Sequence, residues 1–87
     1  MVTEQDIAAV QRWADRMGDG PRAAVGLLIE HDHWLWNDEF EARYIRRQHG
    51  EVYLDFTEMG RFNPAVLACS ESQAAILLAA ADIGLNA

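Results

Sequence analysis

Residues 31–40, HDHWLWNDEF, place two histidines and three acidic residues within ten positions. Imidazole and carboxylate groups are common zinc ligands, so this stretch and a third histidine raise the hypothesis of a metal-dependent enzyme. The ligands in that hypothesis are His31, Asp32, His33 and His49. His31 and His33 point away from each other on a helix and share a face only on a strand. Metal binding is therefore a minority hypothesis, and we expect no bound metal or cofactor.

The aromatic residues of the same stretch favour a structural interpretation. A chain of 87 residues buries only a modest part of its surface, and large aromatic side chains supply much buried area. We expect a structural corner that anchors the second helix to a β-hairpin. Its members are Trp34, Leu35, Trp36 and Phe40.

Nucleophilic catalysis has little support in the sequence. Cys69 is the only cysteine, no familiar nucleophile motif surrounds it, and a single cysteine cannot form an internal disulfide. Ser70 is explained by helix capping, and the chain contains no GxSxG elbow. We therefore expect a protein that is not an enzyme.

The one basic cluster of the sequence is the candidate binding site. Arg43, Arg46 and Arg47 lie close together in the chain, and Tyr44 and Tyr53 are predicted to lie beside them. Guanidinium and phenol groups contact phosphate oxygens or the carboxylates of an acidic partner. A solvated hairpin face would show the same residues, so the binding role is a hypothesis.

Composition limits the partners. The formal net charge is −7, with fourteen acidic and seven basic residues, so the overall field repels nucleic acid and anionic membranes. The chain opens without a basic segment followed by an apolar run, and its apolar stretches are too short to cross a bilayer. We expect one domain over residues 1–87, located in the cytoplasm and not in a membrane.

Local signals then give the elements that must position these residues. Thr3 followed by acids predicts the start of a first helix that ends near Met17, before the Gly18–Pro21 stop. A second helix is predicted from Arg22 to about His33, with both histidines of that region in its last turn.

Residues 38–56 allow two interpretations. We prefer a short turn at 38–41 capped by Asn37, followed by a β-hairpin whose turn is His49-Gly50. Counting outward from that turn pairs Arg47 with Val52, Arg46 with Tyr53 and Ile45 with Leu54, and it places all three arginines on the hairpin. The alternative is a continuous helix over 38–48.

The last third of the chain is predicted to be mainly helical. A short helical turn is expected over 57–62, closed by Gly60, and Asn63-Pro64 opens a loop. Ser70 and Gln73 form a capping box for a C-terminal helix that ends at Gly84. Its apolar face is predicted to hold Ala74, Leu77, Leu78 and Ala81.

Three pieces of the chain, residues 31–36, 52–56 and the alanine-rich helix after 70–73, carry a resemblance. Together they resemble small uncharacterised proteins of actinobacteria and their phages. The resemblance implies a GC-rich actinobacterial setting, in agreement with a chain that has arginine and no lysine. It implies no activity and no site.

The predicted fold is a small α+β domain with two N-terminal helices, a β-hairpin, a short helical turn and a C-terminal helix. The function we favour is a non-catalytic protein-interaction module, such as a phage or accessory protein that acts on a host partner. The alternative is a winged-helix-like nucleic-acid-binding regulator with the three arginines on its wing. A homodimer is also compatible with the aromatic content.

Overall fold

The computed structural model describes residues 1–63 and 67–85 of the chain. It confirms the α+β class, because a two-stranded antiparallel hairpin is inserted into a helical chain. In chain order the elements are α1 (Glu4–Met17), α2 (Asp19–Glu30), a 3₁₀ turn (Trp34–Trp36), α3 (Asp38–Tyr44), β1 (Ile45–Gln48), β2 (Glu51–Leu54), α4 (Phe56–Met59) and α5 (Glu71–Leu85).

The first helix begins and ends as predicted. The Thr3 hydroxyl accepts from the amide of Asp6 and the Asp6 carboxylate accepts from the amide of Thr3, so the two residues form a capping box. The predicted start of the second helix at Arg22 is wrong, since α2 begins at Asp19 and Gly18 alone separates it from α1. Gly18 has φ +132°, a conformation that glycine adopts freely, and it redirects the chain within one residue. Pro21 lies in the first turn of α2, where an N–H group is not needed.

The second helix ends earlier than predicted. His31 is its C-terminal cap, with its amide donating to the carbonyl of Leu27 over 3.1 Å. His31 and His33 therefore lie beyond the last turn, which corrects the prediction that they belong to it. The chain then turns through Trp34–Trp36 into α3.

The segment 38–48 combines the two predicted alternatives. Its first part is α3 and its second part is β1, so the continuous helix is wrong beyond Tyr44, and the prediction that Arg43 lies on the hairpin is also wrong. The predicted register is confirmed, with Ile45 opposite Leu54 and Arg46 opposite Tyr53. The two-residue turn has φ +53° at His49 and +76° at Gly50, the left-handed conformation that a tight hairpin turn requires.

The C-terminal helix keeps its predicted start but not its predicted end or face. The Ser70 hydroxyl accepts from the amide of Gln73 and the Gln73 side chain accepts from the amide of Ser70, so the capping box is confirmed. The helix continues through Gly84 to Leu85, and Leu78 is 41% exposed, so both of those predictions are wrong. The buried face is made of Ala74, Leu77, Ala80 and Ala81. The predicted loop at Asn63-Pro64 lies partly outside the described residues.

The predicted corner is confirmed for three of its four members. Trp34, Leu35 and Phe40 are almost fully buried, whereas Trp36 is 46% exposed and does not belong to it. The Trp34 indole N–H donates to the main-chain carbonyl of Gln73 over 2.7 Å, so the corner fastens the chain to α5 and not to the hairpin. No helix within residues 1–63 and 67–85 is long and apolar enough to cross a membrane.

Close packing between α4 and α5 depends on Gly84. A Cβ atom at this position would lie 2.6 Å from two carbon atoms of the Phe56 ring, which is itself buried. We predict that Gly84→Ala lowers the free energy of unfolding by about 1–3 kcal/mol, because the ring must move within a packed core. Urea unfolding followed by tryptophan fluorescence measures this loss.

Gly26→Ala is the matched control. Gly26 lies inside α2 and a Cβ there meets no atom within 4 Å. This substitution should raise the free energy of unfolding by about 0.4–1 kcal/mol, since alanine has the higher helix propensity. Equal effects of the two substitutions would contradict the close approach of α4 and α5.

Candidate functional site

The five residues predicted to bind a partner are divided among three places. Arg43, Tyr44 and Arg46 line one concave pocket, Tyr53 lies in a different groove, and Arg47 is bound to acidic side chains of the protein itself. The predicted cluster is therefore only partly brought together by the fold.

The arginine pocket is the concave surface that keeps most of the predicted residues. Its volume is about 310 Å³, and it lies where the end of α3, strand β1 and the segment after α4 meet. It is lined by Ala42, Arg43, Tyr44, Arg46, Glu58, Arg61 and Asn63.

Helix α3 positions the first wall of the pocket. The Asn37 side chain caps this helix by accepting from the amide of Phe40 over 2.9 Å. Acids fill the first turn and Arg43 lies in the last, which is the charge order that the helix dipole favours. Because β1 begins directly after Tyr44, Arg43 and Arg46 reach the pocket from two different elements.

Asp55 holds the other wall in place through three contacts. Its amide donates to the carbonyl of Tyr44 over 2.8 Å, and one carboxylate oxygen accepts from the amide of Glu58 over 3.0 Å, which caps α4. The other oxygen lies 3.5 Å from the Arg46 guanidinium. Backbone, helix cap and ion pair thus fix the hairpin against α4.

The guanidinium groups of the pocket differ in their partners. Arg61 pairs with Glu58 at 3.0 Å on the surface, and Arg46 pairs with Asp55. Arg43 is exposed and forms no ion pair with any residue that the structure describes. Three arginines against one acid in the lining make the pocket positive within an acidic protein.

Tyr44 adds a neutral donor to these charges. Its ring is buried against Phe40, with the ring centroids 5.1 Å apart. Burial raises the pKa of Tyr44, which the nearby charge of Arg43 opposes and that of Glu58 supports, so the phenol stays protonated at neutral pH. Its hydroxyl forms no hydrogen bond within the described part of the chain.

These groups together can bind an anion. Guanidinium is a planar donor that matches the two oxygens of a carboxylate or phosphate, and hydrogen bonds between charged groups are stronger than neutral ones. Arg43 offers unpaired donors, while Arg61 would exchange Glu58 for the ligand. Arg61 was missed by sequence reasoning, because only the packing of α4 beside the hairpin brings it near Arg43.

Arg47 has a structural role on the inner face of the hairpin. Its guanidinium lies 3.1 Å from the Asp6 carboxylate and 2.7 Å from that of Glu41, so it links α1 to α3. The amino group of Met1 also contacts Glu41, at 2.9 Å. Both carboxylates thus contact the same Nη2 atom of Arg47, which ties this guanidinium to acidic groups of the protein itself.

The histidines of the metal hypothesis lie in separate contexts. His49 is in the hairpin turn, and the ring of His33 packs edge-on against Trp34 with centroids 4.6 Å apart. The Nε2 atom of His33 is buried without a hydrogen-bond partner among the residues described. Over 1–63 and 67–85 no three His, Cys, Asp or Glu side chains are grouped closely enough to hold a metal ion.

The Arg47 network predicts a dependence of stability on pH. The hydrogen bond from the Met1 amine and that from Arg47 hold the pKa of Glu41 below its ordinary value of 4.5. A lowered carboxyl pKa stabilises the folded state above the ordinary value, and this contribution is lost as the pH falls through the lowered one. We expect Glu41→Gln to lower the free energy of unfolding at pH 7 by about 1 kcal/mol or less. The decrease of this free energy between neutral and acidic pH should be smaller in the variant.

Urea unfolding at a series of pH values from neutral to acidic measures this effect. Glu30→Gln is the control, because Glu30 is exposed and forms no ion pair with the described residues. The same acid dependence in both variants would contradict the role of Glu41.

The geometry of the arginine pocket thus comes from two consecutive elements and from the segment after α4, which follows them beyond the hairpin turn. Arg43 and Tyr44 end α3, Arg46 belongs to β1, and Arg61 follows α4. No protein-family model, curated protein or solved structure matches the chain.

Proposed function

We propose that this chain is a non-catalytic protein-interaction module that binds a carboxylate-bearing segment of a partner protein in the arginine pocket. One observation carries the proposal: Arg43, Arg46 and Arg61 converge on a single concave surface of a protein whose net charge is −7. A local positive site on an acidic body favours a ligand with a few well-placed negative groups.

The extent of the basic surface favours a protein segment over nucleic acid. A duplex presents a long array of phosphates, and affinity rises with the number of them that are neutralised. Arg47 does not extend this basic surface, because it lies on the opposite face of the hairpin from Arg46 and is bound there to Asp6 and Glu41. A pocket of this size accommodates one or two carboxylates, whose hydrogen bonds to guanidinium give specificity.

The proposal includes the setting expected from the sequence. The module acts in the cytoplasm of an actinobacterium, as an accessory or phage protein on a host partner. Neither a metal nor a cofactor takes part, and the partner is recognised by its acidic side chains.

The test is binding of a short synthetic peptide with consecutive glutamates, followed by ¹⁵N NMR at low ionic strength. We expect the resonances of residues 42–46 and 58–63 to shift. Arg43→Gln and Arg61→Gln should each weaken binding by about tenfold, equivalent to about 1.4 kcal/mol, because each removes charge-assisted hydrogen bonds. The same peptide with glutamine in place of glutamate should not bind.

Arg12→Gln is the matched control for Arg43→Gln. Arg12 is an exposed arginine on α1 without an ion pair among the described residues, and it lies outside the pocket. Equal losses in both variants, or shifts spread over the whole surface, would overturn the proposal. Salt-dependent binding of duplex DNA that is lost in Arg43→Gln would overturn the proposal and support nucleic-acid binding in this pocket instead.

A further inference from the structure

A second concave surface, the apolar groove, lies next to the arginine pocket, with the Arg46–Asp55 ion pair between them. Its volume is about 500 Å³ and it runs between the C-terminal part of α1, strand β2 and the end of α5. Its lining includes Trp13, Met17, Tyr53, Phe56, Thr57 and Leu85.

The floor of the apolar groove is aromatic and held in place. The Trp13 ring lies 5.7 Å from that of Tyr53 and 5.9 Å from that of Phe56, measured between centroids. The Tyr53 hydroxyl donates to the Gln48 side chain over 3.0 Å, which fixes the ring at the edge of the groove. The site thus offers a preformed aromatic surface to a ligand.

The rim of the groove exposes apolar side chains. Met17 is 58% exposed and Leu85 is 55% exposed, although both are large and apolar. Methionine is flexible and polarizable, so it adapts to differently shaped apolar ligands. Exposed apolar residues beside a concave aromatic floor are typical of interaction surfaces.

The charged side chains in the described lining of the groove are carboxylates, each paired with an arginine from outside that lining. These carboxylates are those of Glu51 and Asp55, and no arginine belongs to the described lining. The Arg46–Asp55 ion pair forms the boundary, since Arg46 lines the pocket and Asp55 lines the groove. Glu51 also contacts Arg16 through one of its oxygens, which leaves its other oxygen for a ligand.

We propose that the apolar groove binds a partner-protein segment in which an apolar side chain is followed by an arginine or lysine. The apolar side chain would lie on the floor between Met17 and Leu85. The cation would meet the Glu51 carboxylate and the face of Tyr53, where an aromatic ring attracts positive charge. This site goes beyond the proposed function and does not require a ligand in the arginine pocket.

A short synthetic peptide that alternates leucine and arginine is the probe, and the indole N–H resonance of Trp13 is the readout. We expect this resonance to shift on titration. Thr57→Arg should abolish the shift, because Thr57 is exposed and lines the groove, so the new side chain blocks and charges it without disturbing the core. Glu51→Gln should weaken binding severalfold.

Glu4→Gln is the control for net charge. Glu4 is exposed on α1 nine residues before Trp13, about 14 Å along the helix, so its loss should leave binding unchanged. Arg43→Gln should also leave it unchanged, which separates this site from the arginine pocket.

Three results would overturn the proposal. They are equal binding of a leucine–glutamate peptide, equal losses in Glu51→Gln and Glu4→Gln, or no response of the Trp13 indole. A Trp13 shift that appears on raising the concentration of the protein alone would assign the groove to a second copy of the chain instead.

Discussion

The arrangement of the helices depends on the Trp34 indole. Its ring is fully buried, and its N–H group would be unsatisfied there without the carbonyl of Gln73. That carbonyl belongs to the first turn of α5, 39 residues away in sequence, so this hydrogen bond ties the first turn of the last helix to the corner. The ring also lies 5.8 Å from that of Phe40 and 5.9 Å from that of Phe62, which ties α3 and the segment after α4 to the same point.

This aromatic contact has consequences at both proposed binding surfaces. The Phe40 ring packs in turn against that of Tyr44, the last residue of α3, which lines the arginine pocket. The hairpin begins at the next residue. Asp55 then joins the hairpin to α4 and separates the charges, with Arg46 on the side of the pocket and its own carboxylate on the side of the groove. Arginines thus predominate in the lining of the pocket and carboxylates are the charged groups lining the groove, with the Arg46–Asp55 ion pair as the boundary.

Short-range patterns predicted the local structure well. The N-cap at Thr3, the capping box at Ser70 and the register from the His49-Gly50 turn are confirmed, because each depends on residues that lie within a few positions of one another. The errors occur where packing competes with propensity. Gly84 resembles a helix stop, yet the helix continues through it, and the missing side chain lets Phe56 approach α5 closely. Leu78 fits the apolar periodicity but faces solvent, and Ala80 is buried in the core instead.

The sequence by itself determined the α+β class, the starts of α1 and α5, the hairpin register and the aromatic nature of the corner. Those features follow from hydrogen bonds and periodicities within one element. Only the tertiary structure decided that Arg43 and Arg46 meet Arg61, and that Arg47 turns to Asp6 and Glu41. It also decided that the Tyr53 ring packs against that of Trp13. These contacts join different elements of the fold. Which side chains meet depends on how the helices pack around Trp34, and a local sequence pattern does not predict that packing.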